Sequence, residues 1–289
     1  MKSSLGGRIR SFLGMGGRQG RRLGVALGGG GARGLAHVPV LELLDEMGIR
    51  PVCMAGTSIG AVIGALYASG MSGSDIRGLV DDTVLKKGDP PNKVMRNLKT
   101  VIRFLDLDFM GSGMFKGESF MDYFYDAIDT DSFEELDIPL KVVTSDFWTA
   151  GQVVVSEGEL ISAVRASMSL PGIFTPVERD GRVLVDGGGV DPVPWDLLED
   201  CDLVLAVDVL GSLEKGNDDE PSAFRAVVEM FDIMQRSMVR TRLDSSPPDI
   251  YFRPELKGIG LLEFHRAEEI YKAAESSIDQ LREQLAALS

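Results

Sequence analysis

Short apolar runs alternate with longer amphipathic segments along the first part of the chain. The run at 23–27 ends in four glycines, which predicts a buried strand that leads into a tight loop. Residues 32–47 have apolar side chains at helical spacing and are followed by Gly48, a typical helix C-cap. A second strand is predicted at 52–55 and a second helix at 59–69. This order of elements predicts an α/β fold with a largely parallel central sheet and helices on both faces.

The same pattern returns after an interruption at 86–116. That segment contains two adjacent prolines, several basic residues and a Met- and Phe-rich stretch at 104–115. We interpret it either as an insertion that covers a site or as a surface connection. Beyond it we predict strands at 140–144, 152–156 and 203–209, a hairpin at 175–185 that turns at Asp180-Gly181, and helices at 222–243 and 266–288.

Composition and charge limit the class of protein. With 289 residues and 44% hydrophobic side chains, the chain is long enough to bury a large core. Its formal net charge is −14, yet residues 1–22 contain six basic side chains and no acidic one, which predicts a flexible basic head. The acidic remainder argues against general nucleic-acid binding, because the phosphate backbone requires a cationic surface. The head itself is a candidate contact for anionic lipid or nucleic acid.

The rare residue types exclude several further classes. Two cysteines, Cys53 and Cys201, rule out a disulfide-dense scaffold, and both lie in apolar runs, so we expect buried thiols. Two histidines, His37 and His265, argue against a histidine-rich metal site. No apolar run reaches about 18 residues and the N-terminus has no apolar core of a secretory signal, so we expect a cytoplasmic protein without a spanning helix.

Three segments combine glycines with side chains that can do chemistry. They are residues 28–34 (GGGGARG), Gly56-Thr57-Ser58-Ile59-Gly60 and Asp186-Gly187-Gly188. In the second segment, Ser58 stands between a predicted strand and a predicted helix. A sharp turn there projects the hydroxyl, and Gly56 and Gly60 allow that turn. Ser58 is therefore a candidate nucleophile, with a simple helix N-cap as the alternative.

The first segment has two chemical interpretations. The spacing of Gly29, Gly31 and Gly34 fits a dinucleotide-binding fingerprint. That fingerprint requires an acidic residue near the end of the next strand, and residues 52–55 contain none. The other use of the glycines is an oxyanion hole, in which free backbone N–H groups point at a carbonyl oxygen as it gains charge. A loop that is only flexible is the third interpretation.

A serine nucleophile needs a base. The order Ser58, Asp186, His265 matches the chain order of a triad hydrolase, although the neighbours of His265 are not those typical of a triad histidine. The alternative is that Asp186 takes the hydroxyl proton directly, with Gly187 and Gly188 allowing its backbone to approach closely. A structural turn aspartate is the third interpretation of Asp186.

Together with the block at 166–177 (ASMSLPGIFTPV), the three segments resemble the bacterial patatin-like phospholipases, lipid acyl hydrolases with a Ser–Asp dyad. The resemblance covers about residues 23–210. It implies a patatin-like three-layer α/β fold with Ser58 as the nucleophile and Asp186 as the base. It also implies an oxyanion hole formed by the glycine-rich loop at Gly29, Gly30, Gly31 and Arg33.

The resemblance, together with the charged head that lies outside it, leads us to expect an organisation and a function. The expected parts are the basic head at 1–22, a catalytic domain at 23–210, and a C-terminal helical part at 211–289 that packs on the same domain. The expected activity is cleavage of fatty acyl esters of lipids or phospholipids through an acyl-enzyme, with no cofactor and no metal. The alternatives are an esterase or thioesterase that uses a Ser58-Asp186-His265 triad, and a binding or regulatory member without turnover. The expected partner is a lipid or acyl ester substrate, and segment 104–115 is a candidate wall of its channel. A second expected contact is the inner membrane surface, which the basic head would touch.

Overall fold

The structure of the protein, a computed structural model, describes residues 21–83, 127, 130–211 and 223–288. Within these residues one sheet of eight strands has the order β5-β6-β3-β2-β1-β7-β8, with β4 paired to β3. The strands are β1 (Leu23–Leu27), β2 (Cys53–Thr57), β3 (Leu140–Asp146), β4 (Gln152–Val155), β5 (Val177–Arg179), β6 (Arg182–Asp186), β7 (Leu203–Val207) and β8 (Ile250–Phe252). The β3-β2-β1-β7-β8 part is parallel, and β4, β5 and β6 are antiparallel. The predicted largely parallel α/β sheet is confirmed.

Helices surround this sheet. They are α1 (His37–Glu46), α2 (Ile59–Ala68), α3 (Gly73–Thr83), α4 (Leu160–Ser167), α5 (Ala223–Ser245), α6 (Ala267–Glu275) and α7 (Ile278–Leu288). Two of the predicted helices differ from those in the structure. The first turn of the helix predicted at 32–47 is a 3₁₀ helix, Gly31–Ala36, because Arg33 and the loop before it are bonded to other elements. The single helix predicted at 266–288 is wrong: it is interrupted at Ser276, whose hydroxyl donates to the carbonyl of Ala273.

Alternation along β1 explains why the two faces of the sheet differ. Leu23, Val25 and Leu27 point to one face, where they join the large apolar core formed with α1, α2, α4, α6 and α7. Ala26 points to the other face, which Ala55 and Ala206 of the neighbouring strands share. These small side chains let a short segment that includes Val193 and Trp195, together with α5, pack close to the sheet.

The two strands that end at the predicted catalytic residues meet at neighbouring positions of β3. Thr57, the last residue of β2, pairs with Val143, and Asp186, the last residue of β6, pairs with Thr144. Because β2 is parallel to β3 and β6 is antiparallel to it, the two strands run toward each other and their ends meet. The hairpin predicted to turn at Asp180-Gly181 delivers β6 to this point, and both turn residues have positive φ, 50° and 73°.

The C-terminal residues complete the same sheet and the large core. Strand β8 pairs with β7, and α6 and α7 contribute buried side chains to the core that contains α1. The Met- and Phe-rich stretch at 104–115 and residues 1–20 of the head lie outside the described residues, so the division into head, catalytic domain and C-terminal part stays a prediction. Among the described helices, none combines the length and apolar character needed to cross a membrane.

Candidate active site

Ser58 occupies a strained turn between β2 and α2. Its backbone has φ 54° and ψ −126°, a conformation that costs a non-glycine residue about 1–3 kcal/mol. The flanking glycines are needed because the chain is crowded here: a Cβ on Gly60 would lie 2.1 Å from the carbonyl oxygen of Leu27. A Cβ on Gly56 would lie 2.6 Å from the carbonyl oxygen of Gly60. The local geometry is that expected for a serine lifted out of a strand-to-helix turn.

The hydroxyl of Ser58 donates a hydrogen bond to Asp186, with 2.7 Å between Oγ and Oδ2. The other carboxylate oxygen, Oδ1, accepts the backbone N–H of Gly188 at 2.7 Å. Burial raises the pKa of Asp186 from its ordinary value to about 6, against the opposing effect of these two hydrogen bonds. A carboxylate with this pKa is ionised at neutral pH and is a stronger base than an exposed aspartate.

Buried serines hold this pair in place. The hydroxyl of Ser167 donates to the carbonyl oxygen of Val143 at 2.6 Å and accepts the backbone N–H of Ser58 at 2.8 Å. The hydroxyl of Ser145 donates to the backbone carbonyl of Asp186 at 2.8 Å. No sequence pattern indicated a role for either serine, although Ser167 lies within the block at 166–177 that carried part of the family resemblance.

The glycine-rich loop lies directly against Ser58, since a Cβ on Gly29 would be 3.3 Å from the Cβ of Ser58. The N–H of Gly29 donates to the carbonyl of Pro192 at 2.9 Å, so this predicted oxyanion donor is already hydrogen-bonded. By contrast, the N–H groups of Gly30 and Gly31 have no hydrogen-bond partner in the part of the chain that the structure describes. Of the three glycines predicted to form the oxyanion hole, these two have N–H groups that are available to a ligand.

Arg33 is buried and turned toward α5. Its Nε donates to the carbonyl of Gly30 at 3.1 Å, and its Nη2 donates to both carboxylate oxygens of Asp232 at 2.7 and 2.9 Å. The guanidinium therefore fixes the loop that carries the free N–H groups. Asp232 lies 199 residues away along the chain, and no local sequence signal identified it as a partner of Arg33.

Neither histidine joins the Ser58–Asp186 pair within the described residues. His265 is exposed in a 3₁₀ turn, Phe264–Arg266, and both carboxylate oxygens of Asp186 have other partners. His37 is fully buried, and its Nε2 lies 2.8 Å from the carbonyl oxygen of Gly28. Burial lowers the pKa of His37 to about 4, so this side chain is neutral at physiological pH.

The chain is similar to several known proteins. An uncharacterized NTE family protein of Mycobacterium tuberculosis is 34% identical over 235 residues, which are 77% of this chain and 60% of that protein. Lysophospholipase nte1 of Aspergillus fumigatus is 30% identical over 292 residues, which are 92% of this chain and 18% of that protein. The chain therefore spans less than two thirds of the length of these curated relatives. VipD from Legionella pneumophila, a solved structure, aligns with 91% of this chain and 67% of its own, at 14% identity and a TM-score of 0.49.

A family-level match covers the site itself. The region that matches the patatin-like phospholipases runs from residue 25 to residue 199. It contains the glycine-rich loop, the turn at Ser58 and the Asp186-Gly187-Gly188 segment. Because this match covers more than half of the sequence, the chain belongs to the patatin-like phospholipase family.

Proposed function

We propose that this protein is a lipid acyl hydrolase in which Ser58 is the nucleophile and Asp186 is the only protein base. The observation that carries the proposal is the 2.7 Å hydrogen bond from the hydroxyl of Ser58 to a carboxylate that is 4% exposed. A hydroxyl so placed can lose its proton to the carboxylate as it attacks. The strained backbone of Ser58 and the adjacent glycine-rich loop support the same assignment.

The reaction follows from these contacts. Asp186 accepts the proton of Ser58 while Oγ attacks the ester carbonyl carbon, and the N–H groups of Gly30 and Gly31 bind the oxygen that becomes negative. When the tetrahedral intermediate collapses, the leaving alcohol takes the proton from Asp186 and an acyl-enzyme remains. Asp186 then deprotonates a water molecule, which attacks the acyl carbonyl and releases the fatty acid. Each oxyanion donor of this kind is worth about 10²–10³ in rate.

Exposed apolar side chains near the site support a lipid substrate. Phe147 and Trp148 directly follow β3, are 51% and 77% exposed, and contact each other edge to face. Leu262 is also exposed and follows Leu261, whose carbonyl oxygen accepts the N–H of Ala32 in the glycine-rich segment. Both groups therefore lie at the carboxyl edge of the sheet, the same edge as Ser58.

Helix α5 adds a second apolar surface at this edge. Its buried face carries Asp232, which binds Arg33, and Gln235, whose Nε2 would lie 2.0 Å from a Cβ on Gly188. Its outer face exposes Val227, Met230, Ile233 and Met234. We call these four side chains, together with Phe147, Trp148 and Leu262, the apolar rim. Such a rim beside a reactive serine fits contact with a lipid surface, from which an acyl ester would reach the site.

Peripheral membrane contact is part of the proposal. The apolar rim would enter the interfacial region of a bilayer, where tryptophan side chains are favoured. The basic head would add attraction to anionic lipids, at about 1 kcal/mol per cation close to the surface. Lysophospholipase is the name of fungal relatives that are much longer than this chain. From the similarity to them we propose a phospholipid or lysophospholipid ester as the substrate of this site.

The experiment that tests the dyad measures hydrolysis of a soluble nitrophenyl ester by purified variants. Ser58→Ala and Asp186→Asn should each abolish turnover, whereas Ser69→Ala, at the far end of α2, and Asp180→Asn, in the turn before β6, should retain it. His265→Ala should also retain near-normal turnover. Activity in the Ser58 or Asp186 variant would contradict the proposal, and loss of activity in the His265 variant would favour a triad.

A labelling experiment distinguishes an enzyme from a binding member of the family. A fluorophosphonate probe reacts with activated serines and should modify wild-type Ser58 but not the Ser58→Ala variant. Peptide mapping identifies the modified residue. If folded wild-type protein is not labelled and no lipid ester is hydrolysed, the motifs serve binding or regulation instead.

A further inference from the structure

The two cysteines of the chain contact each other across a strand. Cys53 is the first residue of β2, and Cys201 lies just before β7, while β1 runs between these two strands. The two Sγ atoms are 2.6 Å apart. Both side chains are half-buried, so the expectation of buried thiols is wrong. The apolar runs predicted the strands at and beside these cysteines, but they could not show that both thiols are partly exposed.

Gly24 of β1 makes this contact possible. It pairs with Cys53 of β2 on one side and with Val204 of β7 on the other, and the side chain of Cys201 packs against it. A Cβ at Gly24 would be 2.8 Å from the Sγ of Cys201 and 3.2 Å from its Cβ. The missing side chain therefore leaves the space through which Cys201 reaches Cys53.

We propose that Cys53 and Cys201 form a reactive dithiol site that a low-molecular-weight disulfide oxidises to an intramolecular disulfide bond. In the first step the thiolate of Cys201 attacks one sulfur of the oxidant, forming a mixed disulfide and releasing one thiolate. In the second step the thiolate of Cys53 attacks the sulfur of Cys201 and releases the second thiolate. The two protein thiols lose two electrons and two protons, and the oxidant is reduced to two thiols.

The surroundings of the pair favour this order of attack. Burial first, and then the contact with Cys201, raise the pKa of Cys53 to about 12, so Cys53 is a poor first nucleophile. Once Cys201 carries the mixed disulfide, Cys53 needs no diffusion to reach it, because the two sulfur atoms are already in contact. The positive charges of Lys141 and Arg22 lower the pKa of Cys53 and thereby favour its thiolate.

The location of the site separates this inference from the proposed hydrolase activity. Cys53 begins β2 and Ser58 follows its end, so the strand's whole length, about 16 Å, lies between them. The disulfide bond would close a long loop between residues 53 and 201 and restrict the unfolded chain. We therefore expect oxidation to raise Tm by about 5–10 °C without blocking the ester site.

The test uses the full-length protein, first reduced and freed of reductant, then equilibrated with oxidised glutathione. The number of free thiols found by titration should fall from two per chain to none, and no glutathione should remain bound to the protein. Non-reducing peptide mapping should recover a cross-linked peptide that contains Cys53 and Cys201. Retention of both thiols, stable glutathione adducts on the wild type, or disulfide-linked dimers as the main product would each overturn the proposal.

Three variants test the mechanism and the geometry. Cys53→Ser should accumulate a stable glutathione adduct on Cys201, whereas Cys201→Ser should leave Cys53 largely unmodified. Gly24→Ala, which places a methyl group against the Sγ of Cys201, should form the intramolecular bond more slowly and retain more adduct. The rise in Tm on oxidation should be absent from both serine variants; an equal rise in either one would show that the disulfide bond is not its cause.

Discussion

Arg33 and Asp232 form a buried ion pair that connects the glycine-rich loop to helix α5. Their side chains are 2% and 6% exposed, and Nη2 of Arg33 lies 2.7 Å from Oδ2 of Asp232. The same guanidinium donates through Nε to the carbonyl of Gly30. The position of the free N–H groups at Gly30 and Gly31 therefore depends on the carboxylate of Asp232, which belongs to a distant part of the chain.

We expect Asp232→Asn to reduce kcat more than it changes KM. The neutral amide weakens the contact that holds Arg33, so the loop is less well fixed when negative charge develops on the substrate oxygen. The expected fall in kcat on a soluble ester is about tenfold or more, less than the loss of a whole oxyanion donor. Steady-state kinetics on a nitrophenyl ester measures it. An unchanged kcat in a folded variant would contradict a role in positioning.

A double variant separates positioning from stability. Breaking one half of a buried ion pair lowers the free energy of unfolding by about 3–5 kcal/mol, whereas replacing both halves with apolar residues is often nearly neutral. Arg33→Met combined with Asp232→Leu should therefore recover the stability lost in Arg33→Met alone. It should not recover kcat, because the carbonyl of Gly30 still lacks its donor. Recovery of both would assign the pair a purely structural role.

The activity should depend on the protonation of Asp186. Burial raises the pKa of this carboxyl to about 6, and only the ionised form can accept the proton of Ser58. We expect kcat/KM for a soluble ester to be constant above about pH 7 and to fall tenfold for each pH unit below the pKa. A profile measured with a substrate that does not ionise in this range tests the prediction. A midpoint near pH 4 would mean that burial does not raise the pKa of Asp186.

The same carboxylate should lower the stability of the folded protein at neutral pH. Its pKa is about 6 in the folded state and near the ordinary value of 3.8 in the unfolded chain, so the unfolded chain loses this proton first as the pH rises. The resulting loss of stability is absent below about pH 4, grows between pH 4 and 6, and is complete above pH 6, where it amounts to about 3 kcal/mol.

Asp186→Asn removes this ionisation. The variant should therefore be more stable than wild type at pH 8 and nearly equal to it at pH 4, although it is inactive. Urea unfolding at the two pH values measures the difference, and Asp180→Asn in the exposed turn serves as the control. Because Asp191 is also buried with a pKa raised to about 6, only the difference between variant and wild type isolates the contribution of Asp186. An equal gain at both pH values would contradict this account.

Local patterns predicted those parts of the site that depend on neighbouring residues in the chain. The turn at Ser58 needs only Gly56 and Gly60 nearby, and the hairpin that leads to Asp186 needs only the Asp180-Gly181 turn. Contacts between distant segments could not be recognised from any local pattern in the sequence. The carbonyl oxygen of Pro192 accepts the N–H of Gly29, and Asp232 binds Arg33. Neither Pro192 nor Asp232 lies near the glycine-rich loop in sequence. The sequence therefore predicted which segments form the site but not which loop N–H groups stay available.

The apolar rim should contribute to binding on any lipid surface, whatever its charge. Trp148→Ala removes the most exposed side chain of the rim, which is 77% exposed and is not a partner in the Ser58–Asp186 hydrogen bond. We expect several-fold weaker binding to vesicles of zwitterionic phosphatidylcholine, with unchanged turnover of a soluble ester. Val52→Ala is the matched control, since Val52 is an exposed apolar residue just before β2, at the opposite edge of the sheet. Equal loss in both variants would exclude a localised lipid-binding edge.

The basic head should add a contribution that depends on anionic lipid and on salt. Its test should keep residues 21–22, because the backbone N–H and carbonyl of Arg22 are hydrogen-bonded to Asp202 and to the start of β7. Replacing Lys2, Arg8, Arg10 and Arg18 with glutamine should weaken binding to vesicles containing phosphatidylglycerol but not to pure phosphatidylcholine. The difference should shrink as salt is raised, because at about 0.1 M the Debye length is only about 10 Å. If the substitutions leave binding to anionic vesicles unchanged at low salt, the head is not a membrane contact and the apolar rim alone accounts for binding.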